Sequence, residues 1–283
     1  MRLSRPSVLI KLYRKIRFRK GYGVHSPFVY NLITKVIEEK SRYYAFEEIE
    51  KFRQQLLHDD QLGAITSRET QSAAYGALLF RMVHYFKCRN IIEIGSSTGV
   101  MGLYLAMASR SRCNCWLLDE RRDLAQGLRQ FTLAHNLNKL QYIEGDYKES
   151  LMSLCAELPE VDLLFINHPP ETCSIDELVQ RCRTLIARQS ILILNNIARN
   201  KEMRKVWQSL KRDSQSRVML DLHALGIVFF NDRLPKRYYK AYFNYGKKQN
   251  FHQHRRQRLH FLSDYFFLFA RKQNFIRSIN EIP

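Results

Sequence analysis

From residue 90 onward, two patterns alternate along the chain. Apolar runs rich in branched and aromatic side chains at 90–95, 115–119, 140–145, 161–167 and 190–196 predict strands. Between and after them, apolar residues at helical spacing over 99–109, 120–135, 147–155, 173–187 and 200–211 predict helices. Such alternation argues for a parallel sheet with helices on both faces. The pattern then changes: 218–222 and 226–230 are apolar runs joined only by His223 to Leu225, a link too short to cross over a sheet. These last two strands are therefore expected to pair antiparallel, which closes a seven-stranded α/β, Rossmann-like sheet. Upstream, 68–86 carries Ala74, Leu78, Leu79, Met82, Val83 and Phe86 at helical spacing and is expected to cover one sheet face. Residues 1–60 read as mostly helical, with a turn at Gly21-Tyr22-Gly23 and a helix start at Ser26-Pro27. The organisation expected is a basic helical extension over 1–60, a catalytic-type domain over 61–246 and a basic aromatic tail over 247–283.

Composition adds a charge asymmetry. The chain of 283 residues is 45% hydrophobic, enough for a sizeable core, and carries a formal charge of +19. Residues 1–20 contribute +8 and residues 247–283 contribute +6, which leaves +5 for everything between. In both ends cations are interleaved with aromatics. That pattern serves phosphate contact with base stacking on RNA, an interfacial helix on anionic lipid, or two solvated helices packed by their aromatic faces. Cys88, Cys113, Cys115, Cys155, Cys173 and Cys182 show neither C-x-x-C nor zinc spacing, and they fit reduced thiols in a cytoplasmic protein. The apolar stretches are too short or too charged for a signal peptide or a transmembrane helix.

The candidate chemistry lies at the strand ends. Glu93-Ile94-Gly95-Ser96-Ser97-Thr98-Gly99 is a strand-to-helix turn whose bare N–H groups allow close approach of a ligand. Its Gly-x-x-x-Gly spacing is neither the dinucleotide fingerprint nor a phosphate loop. The second strand ends in Asp119-Glu120, suited to ribose hydroxyls, and the third in Gly145-Asp146-Tyr147, suited to an adenine amino group. An acid-lined turn without lysine suits a cationic nucleoside better than a polyphosphate, and S-adenosylmethionine has that chemistry.

On these residues the chain resembles the class I S-adenosylmethionine-dependent methyltransferases, and more closely a bacterial branch related to the catechol-type O-methyltransferases. Gly21-Tyr22-Gly23-Val24-His25-Ser26-Pro27-Phe28, the Glu93–Ser97 turn and residues 221–230 carry the resemblance. It implies cofactor contacts from Glu93, Gly95, Ser97, Asp119 and Asp146, with Ser96, Gly99, Glu120 and Tyr147 beside them, and a small-molecule methyl acceptor. The relatives place an Asp after strand four and an Asp-Asp or Asp-Asn pair after strand five, where metal-dependent members hold magnesium. Here those positions read Asn167 and Asn195-Asn196. Magnesium prefers charged oxygen ligands, so the expectation is a metal-independent reaction or, as the alternative, a catalytically inactive methyltransferase-fold protein that binds nucleic acid or an anionic membrane surface through its basic ends. His168 is then the nearby group able to act as a base near neutral pH, against a purely structural role in its proline-rich loop. Asn167-His168-Pro169-Pro170 also invites comparison with the Asn-Pro-Pro-aromatic motif of amino-group methyltransferases, but His168 is inserted and Glu171 replaces the aromatic.

Overall fold

A computed structural model describes residues 13, 15–18, 21, 23–109, 112–122, 124, 126–169 and 174–246. The basic ends expected to meet RNA or lipid therefore lie outside the described residues, apart from Tyr13 and residues 15–18, as do Cys173, Pro170 and Glu171. Helix α1 spans Pro27–Leu32 and continues as a π-helical turn over Ile33–Ile37. It starts as its sequence predicts: Ser26 is the N-cap, its Oγ accepting from Val29 N–H, and Pro27 follows at the first helical position. Then come α2 (Tyr44–His58), α3 (Gly63–Glu69), α4 (Ala73–Phe86), β1 (Asn90–Ile94), α5 (Val100–Met107), β2 (Asn114–Asp119), α6 (Gln126–Ala134) and β3 (Leu140–Glu144). The chain continues through α7 (Tyr147–Glu157), β4 (Val161–Ile166), α8 (Ile175–Cys182), β5 (Ile186–Asn195), α9 (Lys201–Arg212), β6 (Val218–Asp221), β7 (Leu225–Phe229) and β8 (Arg237–Lys240).

The strands form one sheet in the order β3-β2-β1-β4-β5-β7-β6-β8. β1 to β5 are parallel, and β7 lies antiparallel to both β5 and β6, as the short link requires. The sheet has eight strands rather than the expected seven, because β8 adds parallel to the β6 edge. Its sequence, Arg-Tyr-Tyr-Lys, has three exposed side chains and so lacks the apolar run that marks a buried strand.

Three helix boundaries also differ from expectation. The pattern over 68–86 spans two helices, α3 and α4, because Ser72 caps a new helix: its Oγ accepts from Tyr75 N–H, while Thr70 is extended. Within the stretch 120–135 the described helix is Gln126–Ala134, and Arg121 ahead of it is drawn back onto Asp119 by its own N–H and guanidinium. The stretch 173–187 loses its end to β5. Ile186 pairs with Val161 across a register shift, and Ser190 Oγ, buried at the bend, accepts from Ala187 N–H.

Alternation along the strands divides the core. Ile91, Leu117, Phe165, Ile193 and Ile227 face α1, α2, α4 and α5. Ile92, Leu118, Ile166, Leu194 and Val228 face α7, α8 and α9. Residues of α1 and α2 such as Val29, Leu32 and Ile49 are fully buried in the first of these layers, so the start of the chain shares the core of the sheet. Among the described residues no helix is long and apolar enough to cross a membrane.

Candidate functional site

The strand order reverses between β1 and β4, and in open α/β sheets the crevice beyond the carboxyl ends at such a point is where ligands bind. The turn after β1 is built for close approach. Gly95 (φ +74°) and Gly99 (φ +76°) adopt left-handed backbone, and Gly99 caps α5. A Cβ on Gly95 would lie 2.5 Å from the His168 carbonyl oxygen, so the β4 loop rests directly on the turn. Ser96, Ser97 and Thr98 are all buried, and Thr98 Oγ1 has no hydrogen-bond partner among the described residues. A buried hydroxyl without a partner costs about 1–3 kcal/mol, which a ligand bonding to it would recover.

Asp119 stands at the end of β2, where the sequence places it, but its carboxylate is buried and already engaged. It accepts from Ser97 N (2.6 Å) and from Arg121 N (3.1 Å), Nε (2.9 Å) and Nη2 (3.0 Å). The same guanidinium reaches over to Glu69 at the end of α3, Nη1 to Oε1 at 3.0 Å. Burial pushes the Glu69 carboxyl up, but Arg121 and Arg68 outweigh it and hold its pKa at about 2. Burial opposes the Arg121 charge, yet its bond to Asp119 is the larger effect and raises its pKa further. Glu69–Arg121–Asp119 is thus a strap of three charges tying α3 to the strand ends. Neither Glu69 nor Arg121 stands out in the sequence, where each is one more charge in a polar stretch.

Below the crevice runs a chain of buried polar groups. Tyr75 Oη donates to Asn195 Oδ1 (3.1 Å), Asn195 Nδ2 donates to Asn167 Oδ1 (3.0 Å) and to the Asn167 carbonyl (3.1 Å), and Asn167 Nδ2 donates to Glu93 Oε1 (2.9 Å). The order of donors fixes both amide orientations, since turning either amide would set like against like. Glu93 is fully buried, and burial pushes its carboxyl well above the usual range, with Asn167 opposing and Asp119 reinforcing the shift. Of the residues expected to serve catalysis, Asn167 and Asn195 are therefore committed to one another inside the protein. Tyr75 completes the chain, and its polar tip on the sheet-facing stripe of α4 was the signal that could have found it. Asn196 is half-buried and turns the chain out of β5 with φ +57°, its carbonyl accepting from Arg199 and Asn200.

His168 is half-buried at the crevice, with Nε2 3.1 Å from the Glu69 carbonyl. A carbonyl only accepts, so Nε2 carries the proton and Nδ1 keeps the basic lone pair. Burial lowers the His168 pKa, with Glu69 pulling the other way, so the imidazole is favoured in its neutral form. At the end of β3, Asp146 caps α7, Oδ1 accepting from Lys148 N (2.6 Å) and Glu149 N (3.4 Å). Tyr147 packs into the apolar layer beneath and Glu120 stays half-buried at the rim. The site brings Glu93, Gly95, Ser96, Ser97, Gly99, Asp119, Asn167 and His168 together around the turn.

No family model and no curated protein matches this chain. Solved structures do. A methyltransferase from Podospora anserina in its SAH-bound form is 16% identical, covers 69% of this chain and 91% of its own, and has a TM-score of 0.53. An O-methyltransferase from Bacillus cereus, in complex with SAH, is 17% identical over 71% of this chain and 97% of its own, with a TM-score of 0.52. The O-methyltransferase TomG from Streptomyces achromogenes, in complex with SAM, is 15% identical over 71% and 94%, with a TM-score of 0.52. At such identities the likeness establishes architecture alone: the chain has the Rossmann-like methyltransferase fold, a mostly parallel sheet closed by an antiparallel hairpin.

Proposed function

We propose that this chain is an S-adenosylmethionine-dependent methyltransferase that acts without a metal ion on a hydroxyl or amine of a small molecule. The observation that carries the reading is the left-handed glycine turn at the strand-order reversal, with the buried carboxylate of Asp119 bonded to its Ser97 N–H. The residues present fit such a cofactor: a cradle without side chains at Gly95 and Gly99, the orphaned Thr98 hydroxyl and acids at the ends of β1, β2 and β3. The solved structures of this fold with SAM or SAH bound support it.

S-adenosylmethionine supplies an activated methyl group on a sulfonium. For this chain's part, Asp119 is proposed to accept from the ribose hydroxyls, with Glu120 beside it, and Asp146 and Tyr147 to border the adenine. The Glu93–Ser97 turn would hold the amino-acid end. The ribose contact requires Arg121 to exchange its bonds to Asp119 for the remaining ones to Glu69. His168 Nδ1 is proposed to take the proton from the acceptor hydroxyl or amine, over a floor braced by the Asn167–Asn195 bond. Metal independence rests on the donor set: the three amides standing where the resemblance implies acids are all neutral, and the oxygens of Asn167 and Asn195 already accept from Asn195 Nδ2 and Tyr75 Oη. The proposed transferase unit is residues 61–246, with α1 and α2 packed on its core, and the buried, reduced thiols of Cys88, Cys113 and Cys115 favour the cytoplasm.

Titration calorimetry with SAM and SAH tests the proposal. Binding at sub-millimolar concentration is expected, and Asp119→Ala, shown to be folded by its thermal transition, should weaken it about tenfold, the worth of one charge-assisted hydrogen bond. No binding of either compound would overturn the assignment.

A further inference from the structure

Helix α4 has two different sides. Tyr75, Leu78, Leu79 and Met82 pack toward the sheet, and Tyr75 ends in the buried amide chain. Ala73, Ala74, Ala77 and Arg81 recur at helical spacing on the opposite side and line a cavity of about 740 Å³. That volume is within the ~300–1,000 Å³ usual for small-molecule sites. Its far walls are the segment after the π-helical turn, residues 38–42, and the stretch Tyr242 to Asn244 that follows β8.

The lining is mixed in a specific way. Phe46, Ala77, Ile37 and Phe243 give it an apolar floor, while the cations Lys15, Lys40, Arg42 and Arg81 outnumber the two acids of the lining, Glu38 and Glu39. Lys40 and Arg42 are exposed at the rim, but Arg81 is only 7% exposed. Its Nε donates to the Val36 carbonyl at 2.7 Å, and among the described residues no carboxylate forms an ion pair with the guanidinium. Glu39, whose charge does act on Arg81, has its carboxylate engaged by Ser41 N–H. Burial pulls the Arg81 pKa below its ordinary value, and the opposing pull of Glu39 and Tyr43 does not offset it. A guanidinium walled in by protein at the edge of a cavity, and in no ion pair with a carboxylate, is suited to receive an oxyanion, which would meet both its charge and its planar donors.

We propose that this cavity binds a small organic anion, a carboxylate or phosphate ester carried on an apolar body, with the charged group on Arg81 and the apolar part over the Ala77–Phe243 floor. The inference is independent of the methyltransferase reading, since the cavity is on the side of α4 that faces away from the strand ends.

Calorimetry on the full chain with octanoate, octyl phosphate and octyltrimethylammonium tests it. Saturable sub-millimolar binding of at least one anion is expected, with no binding of the ammonium compound, and the two anions distinguish carboxylate from phosphate recognition. Arg81→Met should lose about tenfold in affinity or more. Because Arg81 also holds the Val36 carbonyl, the paired rim change Lys40→Glu with Arg42→Glu, both exposed, provides a second loss that does not depend on a buried substitution. Ala77→Phe should block the cavity and abolish binding. Equal binding of the ammonium compound, absence of binding by both anions, or anion binding that survives Ala77→Phe and so belongs to the basic ends would each overturn the proposal.

Discussion

At the scale of single residues, Arg121 and Asn195 control the most. Arg121 covers the carboxylate that the proposed cofactor needs, so ligand and guanidinium compete for Asp119. Arg121→Gln should therefore tighten SAH binding, by about tenfold if one charge-assisted bond is at stake, while lowering the melting temperature because Asp119 is left as a buried charge. Unchanged SAH affinity in a folded variant would refute the competition. Asn195→Asp introduces the acid that the sequence resemblance implies at this position, but the new oxygen would face the Asn167 carbonyl and Oδ1 with no donor between them. A loss of about 1–3 kcal/mol in urea unfolding is expected, smaller at acid pH where protonation returns a donor. Added magnesium should not recover it. The identities of Asn167 and Asn195 were legible in the sequence as departures from an acidic pattern. Their inward aim was not, since an amide at a strand end reads the same whether it faces solvent or a tyrosine that lies 120 residues away.

At the scale of elements, helix pairing sets the crevice walls. α4 and α5 approach closely at Gly76, where an added Cβ would lie 2.3 Å from the Tyr104 ring. Tyr104 is itself fixed, its hydroxyl donating to Glu50 on α2 at 2.7 Å, so the ring cannot swing aside freely. Gly76→Ala should cost roughly 1–3 kcal/mol through overpacking, measurable by urea unfolding, even though Ala is the better helix former. A neutral result would mean that α4 can slide over α5. The strands themselves were readable from the chain because those buried on both faces form continuous apolar runs. The break between α3 and α4 was not, because Thr66 to Ser72 is one polar run that could equally begin a single helix, and only the capping geometry reveals it.

At the scale of the whole molecule, the Glu69–Arg121–Asp119 strap links α3 to the sheet and couples stability to acid. The folded Glu69 pKa, about 2, is below the ordinary 4.5, so its contribution is complete above pH 4.5 and is lost as pH falls toward 2. Glu69→Gln should lower the melting temperature at pH 7 and flatten its fall between pH 4.5 and 2 relative to the parent chain. Parallel curves for the two proteins would show that the strap carries no such coupling. Periodicity and turn chemistry, which act between near neighbours, were enough to read from the chain the order of strands and helices, the antiparallel closure, the glycine turn and the acids ranked along the strand ends. The eighth strand, the strap, the amide chain and the cavity beside Arg81 arise only when the folded chain brings distant residues together. Arg121 meets Glu69 across 52 positions, and what each polar group does depends on which partner the packing places within about 3 Å of it.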